Sequence, residues 1–327
     1  MELYKNHLFF KRILLLLLLL SALDVWGRRA NNNPEKSILL ISSYSPIREE
    51  GNHVISAFVE QMSEKMPAKV QVEYMSSEQY PLFSSWQEWM IQLFQAYKDK
   101  PDVVVLLGNE AWSSYKMTCK EGWKDIPVVL GYVKETFVDY EKNTDSGVLL
   151  SDKIHYISDT FDGFNVTGYF FQDYIMENLL LIKQLQPQIR HVAFCYDNRY
   201  AKGFYLNNLK QLFDKIDSLD LCYLSGIDFT TPELLDSIAK MDDSYALLSS
   251  GWYTDAACNP HAYTMLHNEL ARMESFPVYQ VMDQSRANMN YIGGYYVLGV
   301  EQGRDLALLT YDVLAKEIGR ASCRERV

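Results

Sequence analysis

The chain has 327 residues, 48% hydrophobic and 22% charged, with a formal net charge of −11. That composition is ordinary for a globular protein, and the length exceeds what one core of roughly 250–300 residues supports, so two lobes are expected. An acidic chain repels phosphate backbones, which argues against nucleic acid as a partner.

Lys5, Lys11 and Arg12 precede an unbroken aliphatic run over residues 13–20. A charged segment, a short apolar run and the small residues Val25 and Gly27 predict an export signal over 1–27. The run is shorter than the ~18–20 residues of a membrane span. A polar linker over 28–36 follows. Ile38 to Ser42, an apolar run closed by a serine, then predicts a strand, and Val54, Ile55, Phe58, Val59, Met62 and Met66 recur at helical spacing. Residues 70–75 alternate as a strand. Ser85 and Glu88 have capping-box spacing for a helix running to about Tyr97, before Pro101. Continuous apolar runs over 102–108 and 126–133 read as parallel strands buried on both faces, with a short helix from Asn109 between them.

The stretch "DGFNVTG" (162–168) is rich in turn formers and reads as the crossover between lobes, with a long helix over 169–186 after it. The cycle then restarts. Strands are expected at 191–197, 219–226, 245–251 and 277–283, and helices at 205–216, 230–241 and 260–273. Thr231 is the expected N-cap of the second of these helices, ahead of Pro232. A return segment over 291–299 leads into a last helix over 300–317. The fold class is therefore α/β, with two doubly wound parallel-sheet lobes and a ligand cleft between them. The expected boundaries are 37–162 plus 291–317 for the first lobe and 163–290 for the second.

In an open parallel sheet, ligands bind beyond the carboxyl ends of the strands. Polar and aromatic residues appear where each apolar run stops. Ser42, Ser43, Tyr44, Asn109, Glu110 and Tyr132 hold that position in the first lobe. Tyr196, Asp197, Arg199, Ser250, Trp252, Tyr253 and Asp283 hold it in the second. Hydroxyls, an amide, carboxylates, a guanidinium and rings suit a small polar or aromatic solute. Trp252→Ala and Arg199→Ala are expected to weaken its binding and leave the fold intact. Serines and asparagines at such positions also cap the following helices, so each has a structural reading too.

Five cysteines are present and no pair has CxxC spacing, which removes thioredoxin-like and zinc-ribbon readings. Cys195 and Cys222 lie in strand-like runs, either as buried thiols or as a bridge. His261 and His267 are six apart and fall on different helix faces, unsuited to a metal pair. No G-x-S-x-G, H-E-x-x-H or Walker loop occurs, so no enzyme chemistry, metal or cofactor is assigned.

The order of elements, with "DVVVLLGNEAW", "IPVVLGYV", "LLLIKQLQPQIRHVAF" and "YIGGYYVLGVEQGRDLALLTYDVL", resembles ABC-transporter substrate-binding-protein-like domains of the periplasmic-binding-protein type I fold. The segments "SYSPIREEGNHVISAF", "LLGNEAW", "LSSGWY", "NPHAYTMLHNEL" and "NYIGGYYV" resemble the extracytoplasmic sensor regions of Bacteroidetes-type, often hybrid, sensor histidine kinases. That resemblance implies a periplasmic ligand-sensing module of a two-component system, with membrane and kinase modules as partners and a homodimer as a further possibility. The alternative is a binding protein serving an ABC permease. The final "IGRASCRERV" (318–327) abandons apolar periodicity and reads as a non-native tail.

Overall fold

The computed structural model describes residues 35–80, 82–137, 155–197, 209, 213, 216, 219–259, 262–273, 277–283, 291–316 and 324–325. The expected signal segment, Arg199, His261 and most of the expected 205–216 helix lie outside them. Leu209 and Phe213 of that helix are buried in the second lobe.

The first lobe is built on β1 (Lys36–Ser42), β2 (Ala68–Tyr74), β3 (Val103–Leu107), β4 (Val128–Val133) and β7 (Val166–Phe170). Their order in the sheet is β7-β4-β3-β1-β2, and a two-residue strand, β13 (Arg324–Glu325), adds to β7. β1 runs parallel to β3 with Ile38 opposite Val103, and β3 runs parallel to β4 with Val104 opposite Val128. A short antiparallel pair, β5 (Thr136–Phe137) and β6 (His155–Tyr156), lies between β4 and β7 in the chain.

Alternation within the strands sorts their side chains onto two faces, as strand geometry requires. Leu39, Ile41, Val104, Leu106, Val128 and Leu130 pack with helices α2 (Phe83–Ala96) and α3 (Asn109–Thr118). Ile38, Leu40, Val103, Val105, Leu107 and Val129 pack with α1 (Glu49–Lys65) and α7 (Gly299–Lys316). Every residue of β3 is buried, which is why the run reads as unbroken apolar sequence.

The second lobe is a five-stranded parallel sheet of order β12-β11-β10-β8-β9. Its strands are β8 (His191–Tyr196), β9 (Asp220–Ser225), β10 (Tyr245–Ser249), β11 (Val278–Gln280) and β12 (Tyr291–Gly293). Helix α4 (Ile175–Leu185) covers one face. Helices α5 (Thr231–Ile238) and α6 (Ala262–Leu270) cover the other. Cys195 and Cys222 form no disulfide, and lie beside Leu224 and Ala193 of the neighbouring strands.

The expected architecture is the observed one, with three differences in detail. The lobe boundaries move, because β7 belongs to the first sheet and β12 to the second. The crossings are therefore residues 171–174 and 294–298, not 162–163 and 290–291. "DGFNVTG" reads as a turn because of its glycines, yet Gly168 is a strand residue. A Cβ there would overlap the carbonyl of Leu130 on β4, so close strand approach, not a turn, explains the glycine. Second, α2 starts at Phe83 with no side-chain cap, which places Ser85 inside the helix. Third, the N-cap of α5 is Thr230, one residue earlier than expected, in a full capping box with Glu233. Thr230 N–H donates to Glu233 Oε2 at 2.9 Å.

The second crossing is held by Asn178 of α4. Its Nδ2 donates to the Tyr295 carbonyl at 2.9 Å, and its Oδ1 accepts from Tyr295 N–H at 2.8 Å. Lys134 Nζ reaches both Asp173 oxygens at 3.1 Å and ties the end of β4 to the first crossing.

Candidate functional site

Both sheets end their strands toward one interlobe cleft, and the first lobe's edge is organised around the end of β1. Ser43 is fully buried. Its Oγ accepts from Ala111 N–H at 2.9 Å, so it caps α3 from a neighbouring strand and satisfies one of that helix's orphan donors. Gly108 between β3 and α3 has φ +92°, and a Cβ there would stand 2.5 Å from Ser43 Oγ. Only glycine accommodates both constraints. Ser42 Oγ accepts from Tyr44 N–H at 3.2 Å and shapes the same turn. Asn109 exchanges two hydrogen bonds with the Lys134 backbone, at 2.8 and 3.1 Å, and fixes the end of β4 against α3. Ser42, Ser43 and Asn109 thus build the edge itself.

Glu110 is 2% exposed, and its Oε2 has no hydrogen-bond partner. Glu78, just beyond β2, is similar. Its Oε1 accepts from Ser45 N–H at 2.8 Å while its buried Oε2 has none. Tyr132 has φ +54° and is half-buried. Its ring meets Tyr44 edge-on at 5.7 Å and Phe171 at 4.9 Å.

In the second lobe, the loop after β10 is braced at three points. Trp252 is fully buried in the core, and its Nε1 donates to Thr231 Oγ1 at 3.0 Å. Thr231 N–H and Oγ1 donate to Asp255 Oδ2 at 2.9 and 2.8 Å. Asp255 Oδ1 accepts from the N–H groups of Ala257 and Asn259, each at 3.1 Å. Burial alone would raise the Asp255 pKa, but the hydrogen bonds from Thr231, Asn259 and Ala257 outweigh it and hold the carboxyl below its ordinary value. Asp197 Oδ2 accepts from Tyr253 N–H at 3.3 Å. Ser250 returns its N–H and Oγ to the Cys195 carbonyl at 2.9 and 3.2 Å.

This bracing presents the Tyr253 ring to the opposite lobe. The guanidinium carbon of Arg48 lies 3.7 Å from its centroid and 4.1 Å from that of Tyr44. Arg48 is 5% exposed and follows the turn that Glu78 holds through Ser45. A planar cation between two rings is a desolvated cation–π arrangement. Behind it, Tyr253 stacks on Tyr263 at 4.5 Å with rings 5° from parallel. A second bridge joins His53 Nδ1 of α1 to Asp283 Oδ2 at 3.6 Å, and the same carboxylate accepts from Gly299 N–H at 3.0 Å.

Tyr44, Tyr253 and Asp283 therefore meet groups at the interlobe edge, with Tyr132 packed on Tyr44. Tyr196 does not. It is 1% exposed, packs on Phe194 at 5.9 Å, and belongs to the second lobe's core. Trp252 is likewise core, which overturns its expected role as a ligand platform. The loop carries successive aromatics to opposite sides, Trp252 inward and Tyr253 outward. Arg48, Glu78 and His53 are absent from the sequence-derived set. Strand-edge reasoning stopped at Tyr44 and passed over the end of β2, although "SYSPIREE" carries Arg48 within the same edge loop.

No protein-family model matches the chain, and no curated protein matches it. Solved structures do. An ABC domain in complex with L-Trp from Streptococcus pneumonia has 14% identity and a TM-score of 0.58, over 88% of this chain and 89% of that one. An ABC transporter solute binding protein from Bacillus halodurans, with bound myo-inositol, has 11% identity and a TM-score of 0.57 over 90% and 94%. The trehalose repressor of Escherichia coli has 14% identity and a TM-score of 0.52 over 89% and 97%. At these identities the likeness is one of fold, and the chain has the two-lobed periplasmic-binding-protein type I fold of ABC-transporter solute-binding proteins.

Proposed function

We propose that this chain is an extracytoplasmic solute-binding protein that captures a small polar or aromatic molecule between its lobes. The observation that carries the reading is Arg48 held between Tyr44 of one lobe and Tyr253 of the other. Rings and a guanidinium on facing strand edges form a surface that a ligand completes as the lobes close. The open carboxylate oxygens of Glu78 and Glu110 favour a ligand with hydroxyl or ammonium donors. Structural neighbours that hold L-Trp and myo-inositol belong to the same chemical range. The charged and aliphatic N-terminal segment supports export.

The test is a thermal-shift screen of the full chain against amino acids, sugars and polyols, including L-Trp and myo-inositol. A ligand that binds only the folded state raises the melting temperature by mass action. A saturable hit that is weakened in Arg48→Gln and Tyr253→Leu supports the reading. A hit indifferent to both moves the site elsewhere, and no hit across the three classes argues against a small polar solute.

Two physiological roles fit this capture, delivery to an ABC permease and sensing for a membrane histidine kinase. One observation favours the sensor. α1 starts beside Arg48 and carries His53, and it shares a buried cluster with α7 through Val54, Phe58, Leu306 and Ala307. A change at the cleft thus bears directly on the C-terminal helix. Reading the native gene beyond the codon for Lys316 decides between them: an apolar span of about 20 residues and a kinase module mark the sensor, and a stop codon marks the delivery protein.

A further inference from the structure

Four buried side-chain atoms that follow β2 and β3 make no hydrogen bond: Ser77 Oγ, Glu78 Oε2, Glu110 Oε2 and Ser114 Oγ. Their residues are each at most 4% exposed. Ser43, at the end of β1, ties the two segments together. Its carbonyl accepts from Ser77 N–H at 2.8 Å, and its Oγ accepts from Ala111 N–H at 2.9 Å. Glu78 and Glu110 are thus each adjacent in sequence to a residue bonded to Ser43. Glu110 and Ser114 are four apart on α3 and share a helix face. β1 lies between β2 and β3 in the sheet, so the four atoms lie beyond the carboxyl ends of adjacent strands, where open parallel sheets bind ligands. Neither carboxylate has an ion-pair partner among the described residues. Lys134 is taken by Asp173, and Arg48 lies between two rings. The positive end of α3 favours a charge at Glu110 but gives Oε2 no donor. Buried polar groups in native proteins are paired, and a buried charge without a partner is costly.

We propose that this edge receives a primary ammonium group of the captured solute, which makes that solute an amine; the inference rests on the solute-capture reading above. An ammonium carries three N–H donors, a positive charge and no acceptor. Each of the four open atoms can accept a hydrogen bond, and two of them belong to carboxylates. The ammonium therefore supplies both what the oxygens lack and the charge that Glu78 and Glu110 lack. A hydroxyl brings one donor and no charge, and leaves both carboxylates uncompensated. An anionic group is repelled by them. A hard metal ion also takes oxygen ligands, but no group of three or more His, Cys, Asp or Glu is placed to hold one among the described residues.

The probes are two matched pairs, tyramine with tyrosol and putrescine with butanediol, titrated calorimetrically into the full chain. Calcium chloride and magnesium chloride are titrated separately. In at least one pair the amine is expected to bind about tenfold or more tightly than the alcohol. Glu78→Gln and Glu110→Gln keep the side-chain shape and remove the charge. Each is expected to erase the preference, while the melting temperature of the free protein stays near or above wild type. Ser114→Ala removes one acceptor and no charge, and is expected to weaken the amine by less; it serves as the variant if a Gln substitution does not fold. Absence of amine binding, equal affinity within both pairs, or an amine preference kept in both Gln variants overturns the inference. Binding of calcium or magnesium that is lost in Glu110→Gln assigns the oxygens to a metal ion and also overturns it. The solute-capture reading fails separately. It stands if an alcohol or a sugar binds in dependence on Arg48 and Tyr253, and falls if no solute does.

Discussion

The Arg48 guanidinium sits 3.7 Å from the Tyr253 ring, and the two residues belong to different lobes. This contact is expected to link lobe closure to the cleft. A double-mutant cycle over Arg48→Gln and Tyr253→Leu, read by denaturant unfolding, is expected to return a coupling of about 1–2 kcal/mol. Arg48→Lys keeps the charge but loses the planar stack, and is expected to fall between wild type and Gln. A coupling near zero means that the residues are adjacent without cooperating.

Trp252→Ala is expected to act on the fold before it acts on any ligand. The side chain is fully buried and its Nε1 is bonded to Thr231. Truncation of a buried Trp costs about 3–5 kcal/mol, visible as a large fall in the unfolding midpoint. Trp252→Phe keeps most of the volume and is expected to lose less. A variant Trp252→Ala of wild-type stability contradicts the packing described here.

Ser43→Ala removes the side-chain cap from α3 and is expected to cost about 1 kcal/mol. Gly108→Ala is expected to cost more, about 1–3 kcal/mol, because it forces a Cβ onto a left-handed backbone facing Ser43 Oγ. Chemical denaturation ranks the two variants, and the reverse order refutes the account of the β1–α3 junction.

Asp255 predicts a specific acid sensitivity. Its folded-state pKa is depressed, and an unfolded Asp titrates near about 3.9. In the acid range the unfolded state therefore binds more protons than the native state, and stability rises with pH there. The contribution is fully present above the unfolded value and is lost as pH falls through the folded one. The stability gap between wild type and Asp255→Asn is accordingly expected to be largest near neutral pH and to shrink below about pH 4. Urea unfolding at a series of pH values measures it, and a gap that does not vary with pH refutes the assignment.

Much of the scaffold was legible because strand burial leaves a local trace. The five residues of β3 are all buried and all aliphatic, and the helices between strands repeat apolar residues at helical spacing. In "DGFNVTG" Gly163 does sit in a turn, and it is Gly168 that misled, for a definite reason. A turn and a tight strand contact both select glycine, and only the pairing of β7 with β4 tells them apart.

Site residues divide in the same way. Tyr44, Tyr253 and Asp283 were expected at the carboxyl ends of parallel strands, and there they contact Arg48 and His53. Trp252 and Tyr253 are neighbours in sequence and identical in strand-edge logic, yet one enters the core and the other meets Arg48. What separates them is the brace from Asp197, Thr231 and Asp255, which comes from three different segments. By itself, the sequence determined the alternation of strands and helices, the two lobes and the polar edge where the strands stop, because burial and periodicity are written in nearest neighbours. Only the tertiary structure decided which edge residues face the other lobe. That depends on loop direction, and loop direction is set by hydrogen bonds between residues far apart in the chain.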